Sequence, residues 1–124
     1  MKTVQLFMQF ISVLFFIQFS AHVIAQGSFS DAIDDLPLMD GLIESASETV
    51  VFDSSSGRII KALSTGNVTR QQVMSFYRET LPQLGWKEIS VGHFLREEEV
   101  LKIEFLNPKK EKILNVLFML SPSK

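Results

Sequence analysis

The stretch VTRQQVMSFYRETLPQLGW, residues 68–86, limits the possible folds more than any other part of this chain. Thr69 is followed three residues later by Gln72. In this capping box the hydroxyl and the amide satisfy each other's free backbone N–H groups at a helix start. Val68 and Val73 stand at the two positions of a hydrophobic staple. Val73, Phe76, Tyr77, Leu81 and Leu84 recur at helical spacing and make one apolar face, while Arg70, Gln71, Arg78, Glu79 and Gln83 fall mostly on the other. Pro82 removes one helix hydrogen bond, so the helix kinks or frays there. Gly85 is a good terminator. Trp86 then begins the next strand or packs back on the helix end. Full burial of five such side chains, at about 1.5–3 kcal/mol each, is a large share of what a small domain gathers. This face therefore has to cover a sheet.

The text on either side supplies that sheet. Residues 49–53 (TVVFD) and 58–63 (RIIKAL) are β-branched or apolar runs around Asp53-Ser54-Ser55-Ser56-Gly57, which reads as a hairpin turn. After the helix, 86–91 and 94–97 join through Gly92. Residues 100–106 alternate, with Leu101, Ile103 and Phe105 on one face and Lys102 and Glu104 on the other. Residues 112–120 (KILNVLFML) are nearly continuously apolar, as expected of a strand covered on both faces or central to its sheet. The expected fold is α+β: a mainly antiparallel five- or six-stranded sheet with one principal helix, in the order β-β-α-β-β-β-β. The strand core should include Leu101, Ile103, Phe105, Val116 and Phe118. Residues 26–48, rich in Ser, Asp and Gly, read as an irregular lead-in with a helical turn around 31–35, strapped down by its apolar residues. The single α+β domain is 49–124.

Residues 1–25 read differently. Lys2 supplies a positive start, residues 6–19 are almost wholly apolar, and Val23-Ile24-Ala25 has the small-residue form of a signal-peptidase site. The apolar run is shorter than the ~20 residues a spanning helix needs, and Gln9, Ser12 and Gln18 interrupt it. A cleaved leader ending at Ala25 is expected, with export to the periplasm and no membrane span afterwards. Loss of Lys2 takes the formal net charge from −2 to about −3. This balance is unlike the clustered basic surface of a nucleic-acid binder. The chain has no cysteine, which removes thiol chemistry, Cys-based zinc sites and disulfide staples.

LPLMDGL, VVFDSSSGRI, VMSFYRETLPQLGW and the closing strands resemble small exported proteins of alphaproteobacteria that are themselves uncharacterised. The FYRETLPQLGW stretch is the most specific part. A helix carrying FYxxxLxxxGW between strands recurs as a packing signature in other bacterial envelope proteins. The resemblance implies a fold and a compartment, and it transfers no catalytic or binding residue.

The chemistry-bearing residues form no familiar constellation. His93 is the sole histidine after the leader and adjoins Gly92 in an expected turn, with no nucleophile paired to it. Glu97-Glu98-Glu99 lacks the glycine and spacing of a calcium loop and reads as a solvated hairpin tip. Asp53-Ser54-Ser55-Ser56-Gly57 is no nucleophile elbow. Asn67-Val68-Thr69 matches a glycosylation acceptor, but Thr69 is already committed as a helix cap. No catalytic residue, metal ligand or cofactor is expected. Lys109, Lys110 and Lys112 make a basic tip at the opposite end of the meander from Glu97–Glu99, able to meet an envelope protein or an anionic surface. The expected role is a non-catalytic binding or accessory protein of the periplasm. The rivals are a small carboxylate-dependent envelope enzyme and a structural subunit tethered by a retained N-terminal segment.

Overall fold

The sheet is organised by two long neighbouring strands, β3 (Gly57–Gly66) and β7 (Leu114–Pro122), in a computed structural model that describes residues 27–106 and 111–124. The leader, and Lys109 and Lys110 of the basic tip, lie outside the described residues. Along β7 the side chains alternate between buried Leu114, Val116, Phe118 and Leu120 and half-buried Asn115, Leu117 and Met119, the period-2 signature of a sheet with one covered face. Its central position agrees with the apolar run, but among the described residues only one face is covered. β6 (Glu99–Phe105), β5 (His93–Arg96) and β4 (Lys87–Ser90) follow on one side. On the other side, β1 (Ile43–Glu44) and β2 (Val50–Ser54) share the outer edge of β3, separated by a 3-10 turn at Ala46–Glu48. Every pairing is antiparallel. The α+β fold therefore holds, with seven strands among the described residues. The additional one is β1, whose two residues are too few to show any alternation in sequence.

The helix α1 (Arg70–Thr80) starts as its cap requires. Gln72 N–H donates to Thr69 Oγ1 at 3.1 Å, and Thr69 N–H donates to Gln72 Oε1 at 2.9 Å. At Pro82 the chain tightens into a 3-10 turn, Leu81–Leu84, closed by Gly85 at φ 87°. Trp86 N–H then donates to Leu81 O at 3.1 Å. This reversal swings Trp86 under cover, at 4% exposure, and leaves Leu84 outside at 37%. Leu84 is thus absent from the expected core face because the turn delivers the larger indole there. Val73, Tyr77 and Leu81 are buried, and Phe76 is half-buried against them.

The lead-in shares the covered face with α1. Ile33, Leu36, Met39 and Leu42 join the same core as Tyr77, Ile60, Phe94 and Phe118. Tyr77 Oη donates to Pro37 O at 2.9 Å and accepts from Met39 N–H at 3.4 Å, pinning this segment to the helix. The expected helical turn at 31–35 is instead a bend. Ser30 Oγ accepts from Ala32 N–H and Ile33 N–H, and Asp35 takes a left-handed φ of 61° that no helix continues through. Glu44 on β1 anchors the bend by accepting from Ser30 Oγ at 2.5 Å and Asp31 N–H at 2.8 Å. The lead-in reaches β1 by crossing the end of β3, where a Cβ on Gly66 would lie 2.0 Å from Gly41 O. Only a residue without a side chain permits that approach.

Candidate functional site

The ladder register sorts the sheet's side chains onto two faces. The row Val50, Lys61, Met119, Lys102 and His93 runs across five strands on the side away from α1. Leu63 and Leu117 with Glu104 make the next row in one direction. Phe52 and Ile59, and Leu95 with Val100, lie the other way. None of these side chains is buried, whereas the alternate residues of β3, β6 and β7 form the core. Eight of them are apolar: Val50, Phe52, Ile59, Leu63, Leu95, Val100, Leu117 and Met119. Among the described residues no element covers them. Phe52 is 53% exposed on the β2 edge. Large contiguous apolar patches are rare on monomers and mark interaction surfaces. The face is also basic. Lys61, Lys87 and Lys102 stand on it, and among the described strand residues the one carboxylate there is Glu104, which pairs with Lys102.

The covered face carries a second feature at the end where β5 turns into β6. A cavity of about 220 Å³ opens there among Ile33, Asp34, Arg58, Ile60, Trp86, Arg96, Glu99 and Leu120. Its floor is apolar, from Ile60 and Leu120 on the sheet and Ile33 on the lead-in. The Arg96 guanidinium lies 4.4 Å over the Trp86 ring and donates to Leu84 O at 3.3 Å. Arg96 and Glu99 are direct cross-strand neighbours. Even so, none of Asp34, Arg58, Arg96 and Glu99 is ion-paired with another.

The residues singled out in the sequence fall in separate places. His93 opens β5 on the uncovered face, its Nδ1 3.1 Å from Val91 O, and among the described residues no nucleophile or carboxylate is bonded to it. Glu97, at φ 54°, and Glu98 form the exposed β5–β6 turn. Glu99 departs from the solvated tip expected of it: as the first residue of β6 it is half-buried on the cavity wall. Ser54 Oγ closes the β2–β3 turn on Gly57 O at 2.7 Å. Lys112 is exposed at the far end of the sheet from Glu97, beside Glu111 and the start of α1. Among the described residues no group of three or more His, Asp or Glu is placed to hold a metal ion, and no helix is long and apolar enough to cross a membrane. Sequence reasoning missed both the uncovered face and the cavity. The register between strands distant in sequence creates each, and the one local signal was the apolar outward positions Leu117 and Met119.

Burial holds the Tyr77 phenol well above the ordinary tyrosine range, against a smaller opposing effect from the Met39 N–H bond. Its hydroxyl is thus a neutral structural tie. The fold and these surfaces define an α+β domain with one main helix and an antiparallel sheet open on one face among the described residues. Comparison of the chain with protein-family models, with curated proteins and with solved structures finds no match.

Proposed function

We propose that this chain is a non-catalytic binding or accessory module of the bacterial cell envelope, exported to the periplasm through a leader ending at Ala25, and that its partner protein docks on the uncovered sheet face. The observation that carries the reading is that face: eight apolar side chains, Val50 and Phe52 exposed and the other six only half-buried, on a domain whose other face is already filled. Completing the burial of all eight side chains, at up to about 1.5–3 kcal/mol each for full transfer from water, outweighs the attraction of a three-lysine turn to an anionic surface, about 1 kcal/mol per lysine. A docked protein at the sheet is therefore better supported than a charged surface at Lys109, Lys110 and Lys112.

The test is photo-cross-linking in the native host. A photoreactive side chain at Leu117 or Met119 should give an adduct of discrete mass. The same group at Gln71 or Arg78, exposed on α1, should not. Absence of adducts from the sheet face, or equal adducts from both faces, sinks the docking reading. Mass spectrometry of the protein recovered from the periplasm should find Gln26 at its N-terminus. An intact Met1 there sinks the export reading.

A further inference from the structure

From the cavity beside Trp86 we infer a binding site for a small zwitterion of the α-amino-acid class with an apolar side chain. The site is on the opposite face from the docking surface, so its failure would leave that reading standing.

Four charged residues, two of each sign, surround one apolar-floored cavity and leave each other unpaired. Opposite charges on neighbouring strands ordinarily stabilise by pairing. Arg96 and Glu99 are directly opposite one another and do not. Arg96 is instead held over the Trp86 ring and bonded to the Leu84 carbonyl. That fixes its fork in advance and leaves guanidinium donors unused, since the group carries five. Arg58 makes no side-chain hydrogen bond, ion pair or ring contact among the described residues, so its guanidinium is open to a ligand.

A ligand must match this charge pattern. A simple carboxylate would meet Asp34 and Glu99 unfavourably, and a simple amine would meet Arg58 and Arg96. A molecule with both groups a bond or two apart satisfies all four. Its carboxylate goes to the arginines by charge-assisted hydrogen bonds, and its ammonium to Asp34 and Glu99. Its side chain falls toward Ile60 and Leu120. The volume, about 220 Å³, lies below the range of ~300–1,000 Å³ for drug-sized ligands and suits something of amino-acid size.

Trp86 is the only tryptophan in the chain, so its emission reports this cavity alone. Protein recovered after expression of the full chain is titrated with L-alanine, L-leucine and L-phenylalanine, and with two singly charged analogues of leucine. Leucinamide keeps the ammonium without the carboxylate, and 4-methylpentanoate keeps the carboxylate without the ammonium. We expect at least one amino acid to shift Trp86 emission with saturation below about 10 mM, and both analogues to bind at least about tenfold more weakly than leucine. Arg58→Gln and Glu99→Gln should each weaken amino-acid binding by about tenfold with an unchanged melting temperature. No saturable shift with any of the three amino acids, analogues that bind as well as leucine, or variants that bind as well as the parent would each overturn the inference.

Discussion

Tyr77→Phe removes one oxygen from the centre of the molecule, and the structure sets what that should cost. The hydroxyl donates to Pro37 O at 2.9 Å and accepts from Met39 N–H at 3.4 Å. Pro37 and Met39 are buried, so neither backbone group finds water when the oxygen goes. The 3.4 Å contact is long and contributes little, so the Pro37 carbonyl dominates. Losing a good hydrogen bond and stranding its partner costs about 1–3 kcal/mol, while the ring's packing against Phe118, at 5.2 Å between centroids, is retained. In a domain of this size each kcal/mol lowers the melting temperature by roughly 4–8 °C. Urea denaturation followed by Trp86 fluorescence should show the midpoint falling at constant slope. A change within about 0.5 kcal/mol, the range of an ordinary surface substitution, would refute the claim that this hydroxyl ties the lead-in to the helix. The same group gives a pH signature. Because burial raises the phenol's folded-state pKa, its stabilisation is complete below the unfolded value of about 10 and is lost as pH rises beyond it, by up to about 1.4 kcal/mol per pH unit. Tyr77 is the only tyrosine, so phenolate absorbance reads it directly. Phenolate should appear only as the fold opens, and Tyr77→Phe should lack this component of the alkaline slope. Ionisation near pH 10 with the fold intact would contradict the buried assignment.

Four further outcomes follow from particular contacts. Gly66→Ala places a methyl 2.0 Å from Gly41 O and should cost about 3 kcal/mol or more by chemical denaturation. Ser64 is fully buried on β3 with its Oγ unpartnered, so Ser64→Ala should be neutral or stabilising by up to about 1 kcal/mol; a clear loss would reveal a hidden partner. Phe76 is half-buried, edge-on to Tyr77 at 4.9 Å, so Phe76→Ala should cost about 2 kcal/mol, less than the ~3–5 kcal/mol of a fully buried ring. His93→Ala should shift stability by no more than about 0.5 kcal/mol and leave the cellular phenotype intact; a functional loss with normal folding would count against the non-catalytic reading.

The residues from Val68 to Trp86 determined their own local structure. The Thr69–Gln72 box, the Val73–Tyr77–Leu81 stripe and the Gly85 stop act over a few residues, so spacing alone exposes them. The alternation of 100–106 and the DSSSG turn were legible for the same reason. What tertiary structure alone decided is which strand lies beside which. β7 sits between β3 and β6, and that placement makes the half-buried Leu117 and Met119 the middle of the face away from α1. The near-continuous apolar run of β7 fits two-sided burial equally well, because a sequence does not record that none of the described elements packs on the second face. The cavity depends on the same long-range register. Asp34, Arg58, Trp86, Arg96 and Glu99 come from five separate segments and meet at one end of the sheet. Glu99 reads as a solvated tip in sequence, since nothing near it in the chain reveals Arg58 and Trp86 across the cavity. Phe76 and Tyr77 looked equivalent by period. The lead-in, tied to Tyr77 through Pro37 and Met39, and Phe118 of the sheet bury Tyr77 fully, while Phe76 stays half-buried, because burial depends on what packs against a side chain from elsewhere in the chain.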